Sequence, residues 1–353
     1  MGDNGAMLAL PPIDAAVSTP TERAEQPRGL HGAAAFDYDD FSLVPRRVSS
    51  LAHRADAKPH VAFGPAQLLL PLLGSPMPDV CGLEMCEALA RNGAMGILHR
   101  FQPIADQVRD LREALARSPT VGAAVGITGD FHERFDRLVE AGCRIVCIDT
   151  ANGAHRQVEQ AIQWMRERAV AAYVIAGNVA SAEAFTWLED CGADAIRVGI
   201  AGGSVCETRT ETGVFVPTPY AVAEAVAVRR RALVIGDSGV RTPADMCKLL
   251  ALGADCVMVG SALAGTREAP GRVIVVDGKK LKIMRGAASF SVQQQAGNHE
   301  PEYVEGSETL VPYKGRVADV VQRYMAGLRS SMAYMDARTL DEYRRHVSFL
   351  RLR

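Results

Sequence analysis

Eight short apolar runs recur along this 353-residue chain, and their spacing constrains the fold more than any other feature. They are LLLPLL (68–73), AMGILH (94–99), TVGAAVGI (120–127), RIVCIDTA (144–151), AAYVIAG (171–177), AIRVGI (195–200), ALVIGDSG (232–239) and CVMVGS (256–261). The runs are continuous rather than alternating, as expected of parallel strands buried on both faces. Amphipathic segments such as ADQVRDLREALAR, QVEQAIQWMRERA and TPADMCKLLALG separate them. Successive runs start roughly 25 residues apart, the length of one strand–loop–helix unit, and eight such units close a (β/α)₈ barrel. An open doubly wound sheet is the competing arrangement. Eight near-equal units with no G-x-G-x-x-G near the start favour the barrel.

Two irregularities break the rhythm. The interval between the sixth and seventh runs is longer, the excess being the loop 201–216, and a polar insertion at 266–315 separates the eighth run from a final helix predicted at 316–336. Loops that follow barrel strands form the active face, so both irregularities belong there. Residues 36–353 are expected to be one barrel domain carrying the 266–315 segment as a flap. Residues 1–35, rich in Ala, Pro, Gly and Thr, are expected to be a tail or strap without the features of a signal peptide.

The remaining composition excludes more than it proposes. Net charge is −2 with no Lys/Arg block, which disfavours nucleic-acid and membrane partners. No run approaches the length of a membrane span. The eight cysteines form no CxxC pair, which argues against zinc and for reduced thiols in a cytoplasmic protein. Cys147 within RIVCIDTA, Cys143 just before it and Cys256 in CVMVGS read as small buried hydrophobes.

Cys206 differs, because GGSVCETRTETG surrounds it with glycines and polar residues after the sixth run. A thiolate is a strong nucleophile near neutral pH, and Arg209 three positions on favours that form. Other candidates lie at strand ends: Asp149 and Asn152 in IDTANG, Asn178 in AGNVAS, Asp237 in GDSG, and Gly260 and Ser261 in VGS. Such an Asp alone is often a helix N-cap. Several on one rim suit a ribose diol, with glycine amides and a serine hydroxyl suiting a phosphate. A nucleoside monophosphate is the ligand this chemistry points to. Glu305, in EYVEGSETLVPYKG, reads on composition as solvated charge.

The motifs FDYDDFSLVP, GSPM, DTANG, AGNV, GGSVCETR, GDSG, VMVGSALAG and EGSETLVPYKG stand in the order found in the IMP dehydrogenase and GMP reductase family, and the chain resembles that family over residues 36–353. The resemblance implies a covalent attack by Cys206 on C2 of a purine nucleotide. It assigns proton handling to Thr208 and Glu305, the ribose to Asp237, and the phosphate to Ser204, Gly239, Gly260 and Ser261. Ser75, Met77, Arg285, Gly286, Ser289 and Gly306 would surround the base. Asp149, Asn152 and Asn178 would face the nicotinamide cofactor. Relatives also bind a monovalent cation, here K⁺, through carbonyls of the turn that includes Gly203 and Cys206; Ala201 stands where they usually carry Gly. A homotetramer is implied as well.

The dehydrogenase branch activates water with an Arg-Tyr pair in the flap, and MRGAASFSVQQQAGNHEPEYVEG has none. The segment resembles the reductase branch, which implies NADPH-dependent reductive deamination of GMP to IMP and ammonia. Glu207, where reductases commonly carry Thr, and SPMPD in place of SPMD leave a modified or 7-deazaguanine nucleotide as an alternative substrate. IMP dehydrogenation and nucleotide binding without turnover are the other readings.

Overall fold

The computed structural model describes residues 35–295 and 300–352. Eight parallel strands close on themselves: Leu72–Gly74, Met95–Leu98, Val121–Val125, Ile145–Ile148, Tyr173–Val179, Ala195–Val198, Leu233–Asp237 and Cys256–Val259. The ring is sealed where Val257 of the eighth strand pairs with Leu72 of the first. Each predicted run therefore contributes one strand, and the barrel reading holds over the open sheet. Only the end of LLLPLL enters the ring. Pro71 has no N–H to donate and stands just before the first strand, a position a ladder tolerates. Leu68 instead ends a hairpin, Val61–Phe63 with Ala66–Leu68. That hairpin sends Phe63 and Leu68 into the barrel interior, against Leu73, Met95, Ile145, Ile175 and Ile235.

Helices follow the strands in turn: Leu83–Arg91, Ile104–Arg117, Phe131–Glu140, Arg156–Arg168, Ala182–Cys191, Thr218–Val228, Pro243–Ala251 and Val317–Tyr334. Their starts obey local chemistry. Ser181 accepts from Ala184 N, and Thr242 and Asp245 form a reciprocal box around Pro243 at the first helical position. In Ile104–Arg117, Val108, Leu111 and Ala114 form the buried stripe. The helix predicted at 316–336 is the eighth barrel helix, and it packs on Pro243–Ala251 and Leu83–Arg91. No helix among the described residues is long and apolar enough to cross a membrane.

The 266–315 insertion is more regular than its polar composition suggests. Ile274–Val276, Lys279–Arg285 and Glu308–Pro312 form an antiparallel sheet, with a short helix, Phe290–Gln295, between the last two strands. Asp277 and Gly278 make the first turn, both at positive φ (49° and 74°), the geometry of a two-residue hairpin whose twist matches its strands. Lys282, buried beneath this sheet, donates to the carbonyls of Thr266 (3.0 Å), Arg267 (3.3 Å) and Ala269, which ties the sheet to the chain leaving the eighth strand. At the opposite end of the sequence, Phe41–Val44 pairs antiparallel with Ser348–Arg351. Most of the predicted 1–35 tail, residues 1–34, lies outside the described residues.

Candidate active site

The C-terminal ends of the strands open into a cavity of about 290 Å³. Cys206 reaches it from the 201–216 loop, whose base is closed by an isolated antiparallel bridge between Ile200 and Val216. The thiol is half-buried and donates toward Thr208 Oγ1 at 3.3 Å, and Thr208 Oγ1 donates to Glu305 Oε2 at 2.7 Å. Thiol, hydroxyl and carboxylate thus form a continuous line across a sequence gap of 97 residues. The flap holds it in register. Cys206 bridges Gly306, Ser307 N donates to Val205 O (3.0 Å), and Glu207 N donates to Glu305 O (2.9 Å). Gly286 and Gly306 are required by this close approach, since a Cβ on either would lie within 3.0 Å of backbone.

The other cysteines stand in different surroundings. Burial pushes the thiols of Cys143, Cys147 and Cys247 up to about 12 and that of Cys191 up to about 11. Burial likewise drives Cys86 and Cys256 well above the ordinary thiol value. Such thiols stay protonated and are poor nucleophiles.

Arg197 organises the cavity floor. A lone charged residue in a strand buried on both faces, it donates through Nη1 to Asp149 Oδ1 (2.7 Å) and through Nε to Asp237 Oδ2 (2.9 Å). Burial opposes its charge, but Asp237 and Asp149 outweigh that and hold its pKa well above the ordinary value. Asn178 Nδ2 joins the network, donating to Asp237 Oδ2 and Gly199 O, both at 2.8 Å, while its Oδ1 is buried without a partner.

Of the residues singled out in the sequence, Ser75, Met77, Asp149, Asn178, Gly203, Ser204, Cys206, Thr208, Asp237, Gly239, Gly260, Ser261, Gly286 and Glu305 line this one cavity. Four others do not. Asn152 is exposed and accepts from Ala154 N (3.1 Å), a local turn bond that competes with any ligand contact. Ser289 is fully buried against Gly306. Gly306 serves the backbone bridge to Cys206. Arg285 is turned into Asp79, which accepts from its backbone N (3.0 Å), Nε (2.7 Å) and Nη2 (2.7 Å). A bidentate buried carboxylate outcompetes an open pocket for a guanidinium, so Arg285 clamps the flap to the loop after the first strand. Arg209 stacks over Phe215 at 4.2 Å, and Glu207 is not among the residues lining the cavity. Ala201 adopts φ 63°, the left-handed conformation for which glycine is the usual residue.

Sequence reasoning missed Arg197, Arg100, Phe101, Met258 and Met284, all of which line the cavity. Arg197 left a signal, because a charge inside an otherwise apolar run requires buried partners.

His99, at the end of the second strand, is buried with Nδ1 unpartnered. Burial lowers its pKa from 6.5 to about 4, against the opposing pull of Asp79 and Asp110. Below pH 6.5 the unfolded chain takes up a proton that the fold refuses until about pH 4. The contribution of this group is therefore complete above 6.5 and declines as pH falls toward 4, by about 3 kcal/mol in all. Urea unfolding of wild type and His99→Gln should show their stability difference changing by about 2 kcal/mol between pH 7 and pH 4.5. An unchanged difference would mean that His99 takes up its proton in the fold as readily as in the unfolded chain.

A closed barrel with a loop thiol, carboxylates and glycine turns gathered in one cavity on its C-terminal rim is the class of protein that this fold and site define. Residues 35–353 match the family model for the IMP dehydrogenase / GMP reductase domain. A GMP reductase of Lactobacillus delbrueckii subsp. bulgaricus is 36% identical over 318 residues, covering 88% of this chain and 93% of that protein. An inosine-5'-monophosphate dehydrogenase of Aquifex aeolicus is 40% identical over 245 residues, covering 66% of this chain; the chain thus spans about half (49%) of that protein's length. Among solved structures, a cysteine-to-alanine variant of the GMP reductase of Trypanosoma brucei in complex with guanosine 5'-monophosphate superposes with a TM-score of 0.86 at 27% identity, covering 92% of this chain and 96% of that one. The chain belongs to the IMP dehydrogenase / GMP reductase family, a family of oxidoreductases.

Proposed function

We propose that this chain catalyses the NADPH-dependent reductive deamination of GMP to IMP and ammonia. The observation that carries the reading is the line Cys206–Thr208–Glu305. A carboxylate at its far end accepts the thiol proton through the threonine hydroxyl, which frees the sulfur to bond C2 of guanine. The amine bound at C2 then departs with a proton from the same carboxyl, leaving sulfur on C2 as a thioimidate. Reduced nicotinamide, when bound, supplies the hydride that replaces sulfur at C2 and returns the thiolate. One hydride enters and one ammonia leaves, so the step balances.

The flap supports reduction over dehydrogenation. Arg285 is held by Asp79, and Tyr303 is 75% exposed, so the two form no Arg-Tyr pair above the thiol. Asp237 and the turns at Ser204, Gly239, Gly260 and Ser261 provide acceptors for a ribose diol and amides and hydroxyls for a phosphate. The residues present fit a nicotinamide: the unpartnered Asn178 Oδ1 would accept from its carboxamide, and Asp149 lines the same cavity. Among the described residues no cluster of three His, Cys, Asp or Glu side chains would hold a metal ion. A monovalent cation such as K⁺ would rely on loop carbonyls near Gly203, and the left-handed Ala201 preserves the turn that glycine gives relatives. A cytoplasmic homotetramer is the assembly this reading implies.

The test is spectrophotometric. The purified chain should oxidise NADPH with GMP and release ammonia in equal amounts. Activity only with IMP and NAD would replace the proposal with dehydrogenation; activity only with 7-deazaguanine nucleotides would move the substrate and keep the chemistry.

A further inference from the structure

A phenol far away in sequence touches the turn between the proposed ribose and phosphate residues. Ser238 and Gly239 both adopt left-handed backbone (φ 85° and 75°), and both line the cavity beside Asp237. For a serine that conformation is strained by about 1 kcal/mol or more, so something must hold it. Two contacts do. Tyr38 Oη donates to Ser238 O at 2.9 Å across 200 residues, and Ser238 Oγ meets Thr218 Oγ1 at 3.1 Å. The tyrosine ring packs so closely that a Cβ on Gly239 would lie 2.7 Å from its Cε2. Tyr38 is itself firmly placed: it is 4% exposed, lies in a short turn capped reciprocally by Asp37 and Asp40, and its carbonyl accepts from Lys248 Nζ at 2.6 Å. The adjoining strand Phe41–Val44 is fastened to the C-terminal strand Ser348–Arg351.

We propose that Tyr38 is a positioning residue for the mononucleotide: its hydroxyl braces the Ser238–Gly239 turn in the left-handed shape that receives the phosphate end. The inference rests on the nucleotide reading of this rim. Burial, reinforced by Asp245, Asp37 and Asp237, keeps the phenol protonated and therefore a donor at every physiological pH.

Tyr38→Phe removes one hydrogen bond and keeps the ring. Calorimetric titration of the full chain should show GMP binding weakened by about five- to tenfold, with guanosine, which lacks the phosphate, affected by less than about twofold. In turnover the KM for GMP should rise while kcat holds within about twofold. Thr218→Val, which removes the second brace, should reproduce the pattern. A folded Tyr38→Phe that binds GMP like wild type would overturn the proposal. So would equal weakening of GMP and guanosine with a lower Tm, which is what a merely structural anchor gives. Wild type that binds no purine mononucleotide would overturn the nucleotide reading itself, a result distinct from either.

Discussion

Replacing Cys206 by alanine is expected to abolish turnover, lowering kcat by at least about 10⁴-fold, while leaving the fold and nucleotide affinity nearly unchanged. The thiol is half-buried and makes a single long side-chain hydrogen bond to Thr208, so its removal costs little packing. No other cysteine can substitute. Those of the strands and helices are buried or, at Cys191, half-buried, with thiols held in the protonated form, and only Cys206 opens into the cavity. Single-turnover measurement of NADPH oxidation in the presence of GMP reads the loss, and calorimetry reads the retained binding. Residual turnover above about one per cent of wild type would remove the thiol from the mechanism. A chain that only binds nucleotide would show no turnover in wild type either, so the comparison also separates enzyme from binder.

Glu305→Gln is expected to lower kcat by about 10²–10³-fold with little change in the KM for GMP. The amide oxygen can still accept from Thr208 Oγ1, so the 2.7 Å contact and the flap register survive. What disappears is the capacity to take the thiol proton and give it to the departing amine. Thr208→Val breaks the same line one link earlier. If hydroxyl and carboxylate act as one relay, the double variant will be scarcely slower than either single one, because a broken chain cannot be broken twice. Stopped-flow kcat values for the four proteins settle it. Multiplicative losses, or a Glu305→Gln variant within about threefold of wild type, would leave Glu305 as a flap anchor and place the proton source elsewhere.

These expectations depend on contacts of very different legibility. The eight strands could be read one by one, because a parallel strand covered on both faces needs an apolar residue at every position and so leaves a continuous run. The loop thiol was legible for the opposite reason, polar and glycine-rich neighbours marking a cysteine that no core would claim. The D-G turn at Asp277–Gly278 is equally local, although the insertion as a whole read only as polar. Glu305 read as solvated charge on composition, since nothing within its own stretch signals a partner at Thr208. Arg285 illustrates the converse: the family resemblance implied a residue facing the base, and a buried carboxylate at Asp79 draws it away.

The sequence by itself determined the barrel, the rim that carries the cavity and the loop thiol Cys206 that opens into it, all of which follow from period, run length and residues adjacent in the chain. Only the tertiary structure decided that Glu305 meets Thr208, that Arg197 binds Asp149 and Asp237 together, and that Tyr38 supports Ser238. Patterning records which side of a segment is buried, whereas a hydrogen bond between segments 40 to 200 residues apart depends on how the closed ring and the paired strands Phe41–Val44 and Ser348–Arg351 bring them together.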